Sequence, residues 1–115
     1  MTEIKKIQKR LRHLAYERDW DQFHSPKNLS MALISEAAEL VEHFQWLTEE
    51  QSASLNKEML EEVEAQMADI QIYLIRLADQ LNVDLFEAVN KKFITNDKYP
   101  VKEAKDNVET HYEYE

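Results

Sequence analysis

An all-α, four-helix bundle-like fold is predicted by three features of this 115-residue chain. It contains no glycine and only two prolines, Pro26 and Pro100. Its apolar residues recur at three- and four-residue spacing over several long stretches. Side chains able to cap a helix stand ahead of those stretches. Sheet proteins rely on turns with positive φ, usually supplied by glycine, so the composition points to helices joined by short connections.

The first helix is expected from about Thr2 to Asp19, with Ile4, Ile7, Leu11 and Leu14 as its apolar stripe. Lys5, Lys6, Lys9, Arg10 and Arg12 spread over the remaining surface and read as a solvated face. Asp19-Trp20-Asp21-Gln22-Phe23-His24 then breaks the period. Its aromatic rings fit either a plug at the end of a bundle or a platform for a flat ligand. Ser25-Pro26 is a helix start, with Ser as N-cap and Pro at the first helical position.

A second helix is predicted from Pro26 to about Trp46, with Leu29, Leu33, Ala37, Leu40, Phe44 and Leu47 inward. Ala32, Glu36, Glu39, His43 and Trp46 form the adjacent stripe. Thr48-Glu49-Glu50-Gln51 has the form of a capping box, for a helix interrupted near Ser54-Leu55-Asn56. From about Lys57 to Asn82, Leu60, Val63, Met67, Ile70, Leu74, Leu77 and Leu81 make a heptad seam, edged by Glu62, Gln66, Asp69, Tyr73 and Arg76. Asp84 caps a last helix that runs to about Asp97, with Leu85, Val89 and Phe93 inward. Lys92 and Asn96 lie one turn apart on a single face of it. Residues 1–100 are expected to form one domain and 101–115 a tail or an arm on a partner subunit.

Formal net charge is −9, with 14 Lys and Arg against 23 Asp and Glu. That balance argues against a nucleic-acid polymer as partner, because backbone binding needs a basic surface. No apolar run is long enough to span a bilayer and the N-terminus does not resemble a signal peptide, so no membrane partner is expected. The absence of cysteine excludes disulfides and thiolate chemistry and fits a cytoplasmic protein. A small chain with a long apolar seam is expected to form a homo-oligomer.

The candidate chemistry lies in the acids. Glu36 and Glu39 sit at i and i+3, on one helix face. Asp69 occupies the edge of the other long helix. If the two helices face each other, three carboxylates meet at the margin of an apolar seam. Such a set repels itself unless neutralised, and all-oxygen ligands suit Mg²⁺, with Mn²⁺ the alternative. The same residues also fit solvated or salt-bridged acids.

Glu36-Ala-Ala-Glu39, followed by Ala68-Asp69-Ile-Gln-Ile-Tyr-Leu, resembles the E-x-x-E…E-x-x-D signature of MazG-like all-α nucleoside triphosphate pyrophosphohydrolases. Arg18-Asp19-Trp20-Asp21-Gln22-Phe23-His24, Phe44-Gln45-Trp46, Val83-Asp84-Leu85 and Tyr99-Pro100 are similar to the dCTP pyrophosphatase branch of that family. The resemblance covers roughly residues 15 to 100.

It implies a house-cleaning enzyme that hydrolyses the α–β bond of a (d)NTP, dCTP-like or non-canonical, to the monophosphate and pyrophosphate. It further implies Mg²⁺ held by Glu36, Glu39 and Asp69, with Glu36 or Glu39 activating water. Trp20 and Trp46 would flank the base, with His24 near the nucleoside, Tyr73 near the substrate and Lys92 and Asn96 on phosphate. The family forms dimers or tetramers, and a homotetramer is the expectation here.

One position departs from the signature: Gln66 stands where the first acid of the second half-motif belongs. Gln66 would ligate weakly or through water by its neutral carbonyl oxygen, or Glu62, one turn earlier, would substitute, or hydrolysis would be reduced or lost. The last outcome defines the alternative function, a non-catalytic helical homo-oligomer that binds nucleotide or a protein partner.

Overall fold

The computed structural model describes residues 2–98, apart from the side chains of 95–98. Among the described residues there are helices and connecting turns but no strand. The helices are α1 (Glu3–Glu17), α2 (Pro26–Glu42), the single turn α3 (Glu49–Ser52), α4 (Lys57–Gln80) and α5 (Leu85–Lys98), with a 3-10 turn at Asp21–Phe23. The chain divides into two compact units, Met1–Asn82 and Val83–Glu115. Tyr99-Pro100 and the expected tail, 101–115, lie outside the described residues.

Every helix in the first unit starts at an oxygen-bearing side chain that accepts a backbone N–H otherwise left without a partner. Thr2 accepts from Lys5, Ser25 from Asn28 and Asn56 from Met59. At α3 the capping box is complete: Thr48 Oγ1 accepts from the Gln51 N–H and Gln51 Oε1 accepts from the Thr48 N–H. In the second unit Asp84 accepts from the Glu87 N–H at 3.0 Å. Ser25, Thr48 and Asp84 are legible as caps in the sequence, whereas Thr2 was expected inside the first helix and Asn56 marks only an interruption.

Helix ends in a chain without glycine need another residue for the left-handed conformation. Asp19 (φ 56°) and Asn82 (φ 57°) take it. Asp and Asn are the non-glycine residues that tolerate this region best. After α1 the Asp19 N–H donates to the Tyr16 carbonyl at 3.3 Å and the Trp20 N–H to the Ala15 carbonyl at 2.8 Å. This pair of bonds is a Schellman closure, and it fixes the direction in which Trp20 leaves the helix.

α4 packs most extensively on α2 and also on α1. The α2 packing is antiparallel: Gln66 meets Glu36, whereas Gln80, further along α4, meets the backbone of His24 ahead of α2. Leu29, Val63, Ile75, Ala78 and Ala15 are buried in the core so formed. Full burial of a side chain such as Leu29 or Ile75 stabilises by roughly 1.5–3 kcal/mol. The α1 stripe Ile4, Ile7, Leu11 and Leu14 is half-buried.

Three expectations change: Val89 and Phe93 of α5, expected inward, are exposed, and the other two concern α2 and α4. α2 ends at Glu42 rather than Trp46, and residues 43–47 continue as turns closed by bonds such as His43 N–H to the Leu40 carbonyl and Leu47 N–H to the Phe44 carbonyl. The heptad seam of α4 also splits. Val63, Ile70 and Leu77 face inward, but Leu60, Met67, Leu74 and Leu81 are exposed. The exposed residues recur at every seventh position from Leu60 to Leu81, between the covered ones, so they form a separate row on the side of α4 that the packed α2 and α1 leave uncovered.

The left-handed helix ends make a direct prediction. Asn82→Val should lower stability by about 1–2 kcal/mol, since a β-branched residue is strained there, whereas Asn82→Gly should leave it unchanged or raise it. Urea midpoints at constant m-value test this, and equal midpoints for Val and Gly would refute it.

Candidate active site

A cleft of about 530 Å³ opens within the first unit. Leu11 and Leu14 of α1 and Ile72 of α4 form its apolar part. Trp20, His24, Glu36, Asp69, Tyr73 and Arg76 bring aromatic, hydrogen-bonding and charged groups to the same space. The sequence order explains the convergence. The Schellman closure turns Trp20 and His24 out of α1, Glu36 rides on α2, and Asp69, Tyr73 and Arg76 follow each other at three- and four-residue spacing on α4.

Glu36 is half-buried, and its Oε1 accepts a 2.7 Å hydrogen bond from the Gln66 amide nitrogen. Gln66 is itself buried, at 9% exposure. The amide therefore satisfies one carboxylate oxygen and leaves its own carbonyl oxygen free of that contact. Glu39 is exposed, and its carboxyl is held above the usual range chiefly by the negative charge of Glu36, with Glu42 and Asp69 adding to it. Glu36, Glu39 and Asp69 thus share one electrostatic neighbourhood. Among the described residues, however, no three His, Asp or Glu side chains stand in an arrangement that could hold a metal ion. The donor set fits a hard divalent cation by chemistry, being all oxygen and self-repelling.

Arg76 joins the cleft to a network of two arginines and two aspartates. Arg76 is buried and pairs with Asp21 at 2.5 Å, its Nε–H donates to His24 Nδ1 at 3.4 Å, and Asp79 stands 4.0 Å away. Arg12 of α1 closes the network with two bonds to Asp79, 2.6 and 2.7 Å. Those bonds hold the Asp79 carboxyl below its usual range and the Arg12 guanidinium above its own. His24 is shifted down, first by burial and then by the charge of Arg76. Its ring lies 5.5 Å from that of Trp20, and the Arg18 guanidinium stands 5.3 Å from the Trp20 centroid.

Of the residues singled out from sequence, Trp20, His24, Glu36, Asp69 and Tyr73 line this cleft. Gln66 touches it through Glu36. Trp46 is 86% exposed and is not among the lining residues, because α2 has already ended before it. Glu62 is exposed and does not line the cleft either. Lys92 is an exposed residue of α5 in the second unit, and the side chain of Asn96 lies outside the described residues. Sequence reasoning missed Arg76 as a cleft residue, together with its partners Asp21, Asp79 and Arg12. The signal was present for Arg76, the next member of the edge row that contains Asp69 and Tyr73.

These features define an all-α protein whose two packed long helices carry acids to the rim of an aromatic-lined cleft. The chain belongs to the MazG-like family, whose model matches residues 32–113. It is 42% identical over 90 residues to dCTP pyrophosphatase 1 of Rattus norvegicus, covering 76% of this chain and 53% of that protein. With dCTP pyrophosphatase 1 of Homo sapiens it shares 42% over 89 residues, 75% of this chain and 52% of the relative. The chain therefore spans about half the length of the curated relatives it matches. Its backbone is also similar to the crystal structure of a pyrophosphatase from Archaeoglobus fulgidus, with a TM-score of 0.80 and 34% identity over 87% of this chain and 94% of the other.

The Arg12–Asp79–Arg76 network predicts a signed pH effect. Asp79→Asn should destabilise by about 1.5–3 kcal/mol at neutral pH, the scale of hydrogen bonds to charged groups. Because the folded-state Asp79 binds its proton less readily than the unfolded one, wild-type stability falls as pH drops. The margin over the Asn variant should be full above the ordinary carboxylate pKa of about 3.9. It should shrink as pH falls through the depressed folded-state value. Urea melts at several pH values measure this, and a margin that grows on acidification would contradict it.

Proposed function

We propose that this protein is a divalent-cation-dependent nucleoside triphosphate pyrophosphohydrolase that cleaves the α–β phosphoanhydride of a (d)NTP, dCTP or a related base, to (d)NMP and pyrophosphate. The observation that carries the reading is the placement of Glu36 and Asp69, from two facing helices, in the cleft that also holds Trp20, His24 and Tyr73. The similarity to proteins named dCTP pyrophosphatase 1 supports the substrate class. A cytoplasmic house-cleaning role for such an activity follows from the resemblance.

Mg²⁺, or Mn²⁺, held by Glu36, Glu39 and Asp69 would supply charge neutralisation for the triphosphate and the leaving pyrophosphate. The residues do the rest. Trp20 offers a ring face to the base; such stacking contributes on the order of 1–3 kcal/mol. Leu11, Leu14 and Ile72 exclude water from that end of the cleft. Gln66 holds Glu36 in one orientation and leaves its second oxygen available. Glu36 or Glu39 accepts the proton of the water that attacks the α-phosphorus. As the new P–O bond forms, the bond to the bridging oxygen breaks and pyrophosphate departs. The exposed row Leu60, Met67, Leu74 and Leu81 supports a homo-oligomer, with a tetramer the preferred form.

The assay is release of pyrophosphate from each dNTP with Mg²⁺. Glu36→Gln, Glu39→Gln and Asp69→Asn should each lower kcat by about 10²–10⁴-fold while leaving the far-UV spectrum unchanged. Absence of turnover by the wild type over the full nucleotide panel would sink the reading. Mg²⁺ with dCTP should also raise the melting temperature, since a ligand that binds only the folded state stabilises it.

A second reading, nucleotide binding without hydrolysis, is favoured by one observation: Gln66 brings a neutral amide where a fourth acid is expected. Gln66→Glu distinguishes the two. Without divalent cation this variant should melt lower than the wild type, because it sets a second carboxylate against Glu36. With Mg²⁺ it should regain stability. A large gain in hydrolysis at unchanged nucleotide affinity would make the wild type a binding protein; a modest change would leave it an enzyme.

A further inference from the structure

Arg76 is the only charged side chain that is buried among the described residues. Moving a guanidinium out of water is expensive unless it is paired, and Asp21 and Asp79 answer its charge. The contact with His24 is of another kind. It balances no charge, and the nearby cation disfavours protonation of the imidazole. What it does is decide where the imidazole proton sits.

Arginine has donors only. The Arg76 Nε–H therefore requires His24 Nδ1 to be an acceptor, and the single proton of the neutral ring must be on Nε2. Nε2 makes no hydrogen bond to any described residue. The rest of His24 is held independently: its carbonyl accepts from Gln80 at 3.0 Å, and its ring stands beside Trp20. His24 and Trp20 both line the cleft. A neutral imidazole with a fixed tautomer and an unused donor thus stands next to the aromatic ring assigned to the base.

We propose that Arg76 is a positioning residue that locks His24 as the Nε2–H tautomer, so that the cleft offers one hydrogen-bond donor to an acceptor atom on the base of a bound nucleotide. The base class is one that presents a carbonyl oxygen or an unprotonated ring nitrogen to that donor, as cytosine does with its O2 and N3. The inference rests on the nucleotide reading of the cleft, but the tautomer lock itself is a property of the free protein. A pyrophosphohydrolase of this fold would then owe part of its base preference to a residue that acts through His24.

Two-bond ¹H–¹⁵N correlation spectra of the imidazoles test it, with the His24 signals assigned from a His24→Gln sample. The free wild type at neutral pH should show the Nε2–H pattern for His24, and dCTP with Mg²⁺ should shift its Nε2 signal. Arg76→Met, which replaces the buried cation by an apolar chain of similar length, should give mixed tautomers and raise the KM for dCTP about twofold for an even mixture, since only the Nε2–H fraction offers the donor, with kcat nearly unchanged. Adding His24→Gln to Arg76→Met should recover most of the loss, because an amide N–H needs no tautomer partner.

A wild-type His24 protonated on Nδ1 overturns the proposal without any variant, so a failure of Arg76→Met to fold would not protect it. An Arg76→Met protein with the wild-type tautomer and unchanged KM also overturns it. A locked tautomer in a wild type that neither binds nor cleaves any nucleotide would instead overturn the functional reading and the base-recognition half of the inference with it.

Discussion

The antiparallel packing of α4 on α2 is the constraint from which the site follows. Leu29 and Val63 are buried in the core to which these helices contribute, and that burial sets the rotation of each helix about its axis. Once rotation is set, Glu36 and Asp69 have little choice of direction, since each sits at the margin of its own apolar stripe. The hydrogen bond from Gln66 to Glu36 then ties the two helices by a polar contact inside the same interface. A buried amide that found no acceptor would cost about 1–3 kcal/mol, so this bond also disfavours any sliding of one helix past the other. Register and site geometry are therefore one problem, solved by the same few residues.

The second constraint is the lack of glycine. Each abrupt helix end must be made by a residue with a Cβ, and Asp19 and Asn82 accept the left-handed conformation with the least penalty. At Asp19 the consequence reaches the cleft. The Trp20 N–H is bound to the Ala15 carbonyl at 2.8 Å, and Ala15 is 1% exposed, so the exit of the chain is anchored to the core of the first unit. Gln22 reinforces the turn through Asp19 Oδ2, and the Asn28 amide reaches the Phe23 carbonyl. The short segment that carries Trp20 and His24 is held at both ends and at its middle, which is the condition for presenting a ring to a ligand without ordering it at the moment of binding.

What could be read in advance divides along the range of the interactions. Helix starts at Ser25, Thr48 and Asp84 depend on a side chain and an N–H three residues on, and local patterns report them faithfully. The pairing of Glu36 with the α4 edge was also legible, because a three-four period states which residues share a face. The end of α2 was not, since Phe44 and Trp46 extend the apolar period beyond Glu42 while the backbone turns away. Nor was the division of the α4 seam into covered and exposed rows. A heptad of apolar residues says that something could cover them, and only the side of α4 that α2 and α1 pack against decides which are covered within the first unit. The Arg–Asp network was hidden for a further reason: Arg12, Asp21, Arg76 and Asp79 come from three separate segments, and charge pairs between segments leave no periodic trace.

Arg76 and the acids Glu36 and Asp69 play opposite chemical roles in one cleft. The acids crowd negative charge, which raises the proton affinity of Glu39, while burial and then the charge of Arg76 lower that of the His24 imidazole. At neutral pH both shifts act in the same practical sense. They keep the carboxylates in need of a cation and the imidazole in need of none. An anionic ligand brought with its own divalent ion meets the first demand, and a neutral base with an acceptor edge meets the second. The division matches a nucleotide's own anatomy, charged at one end and uncharged at the other. It also explains why Gln66 is tolerable beside Glu36. A fourth acid would deepen the repulsion in the free protein, whereas the amide binds the carboxylate it touches and keeps the helix pair together before any ligand arrives.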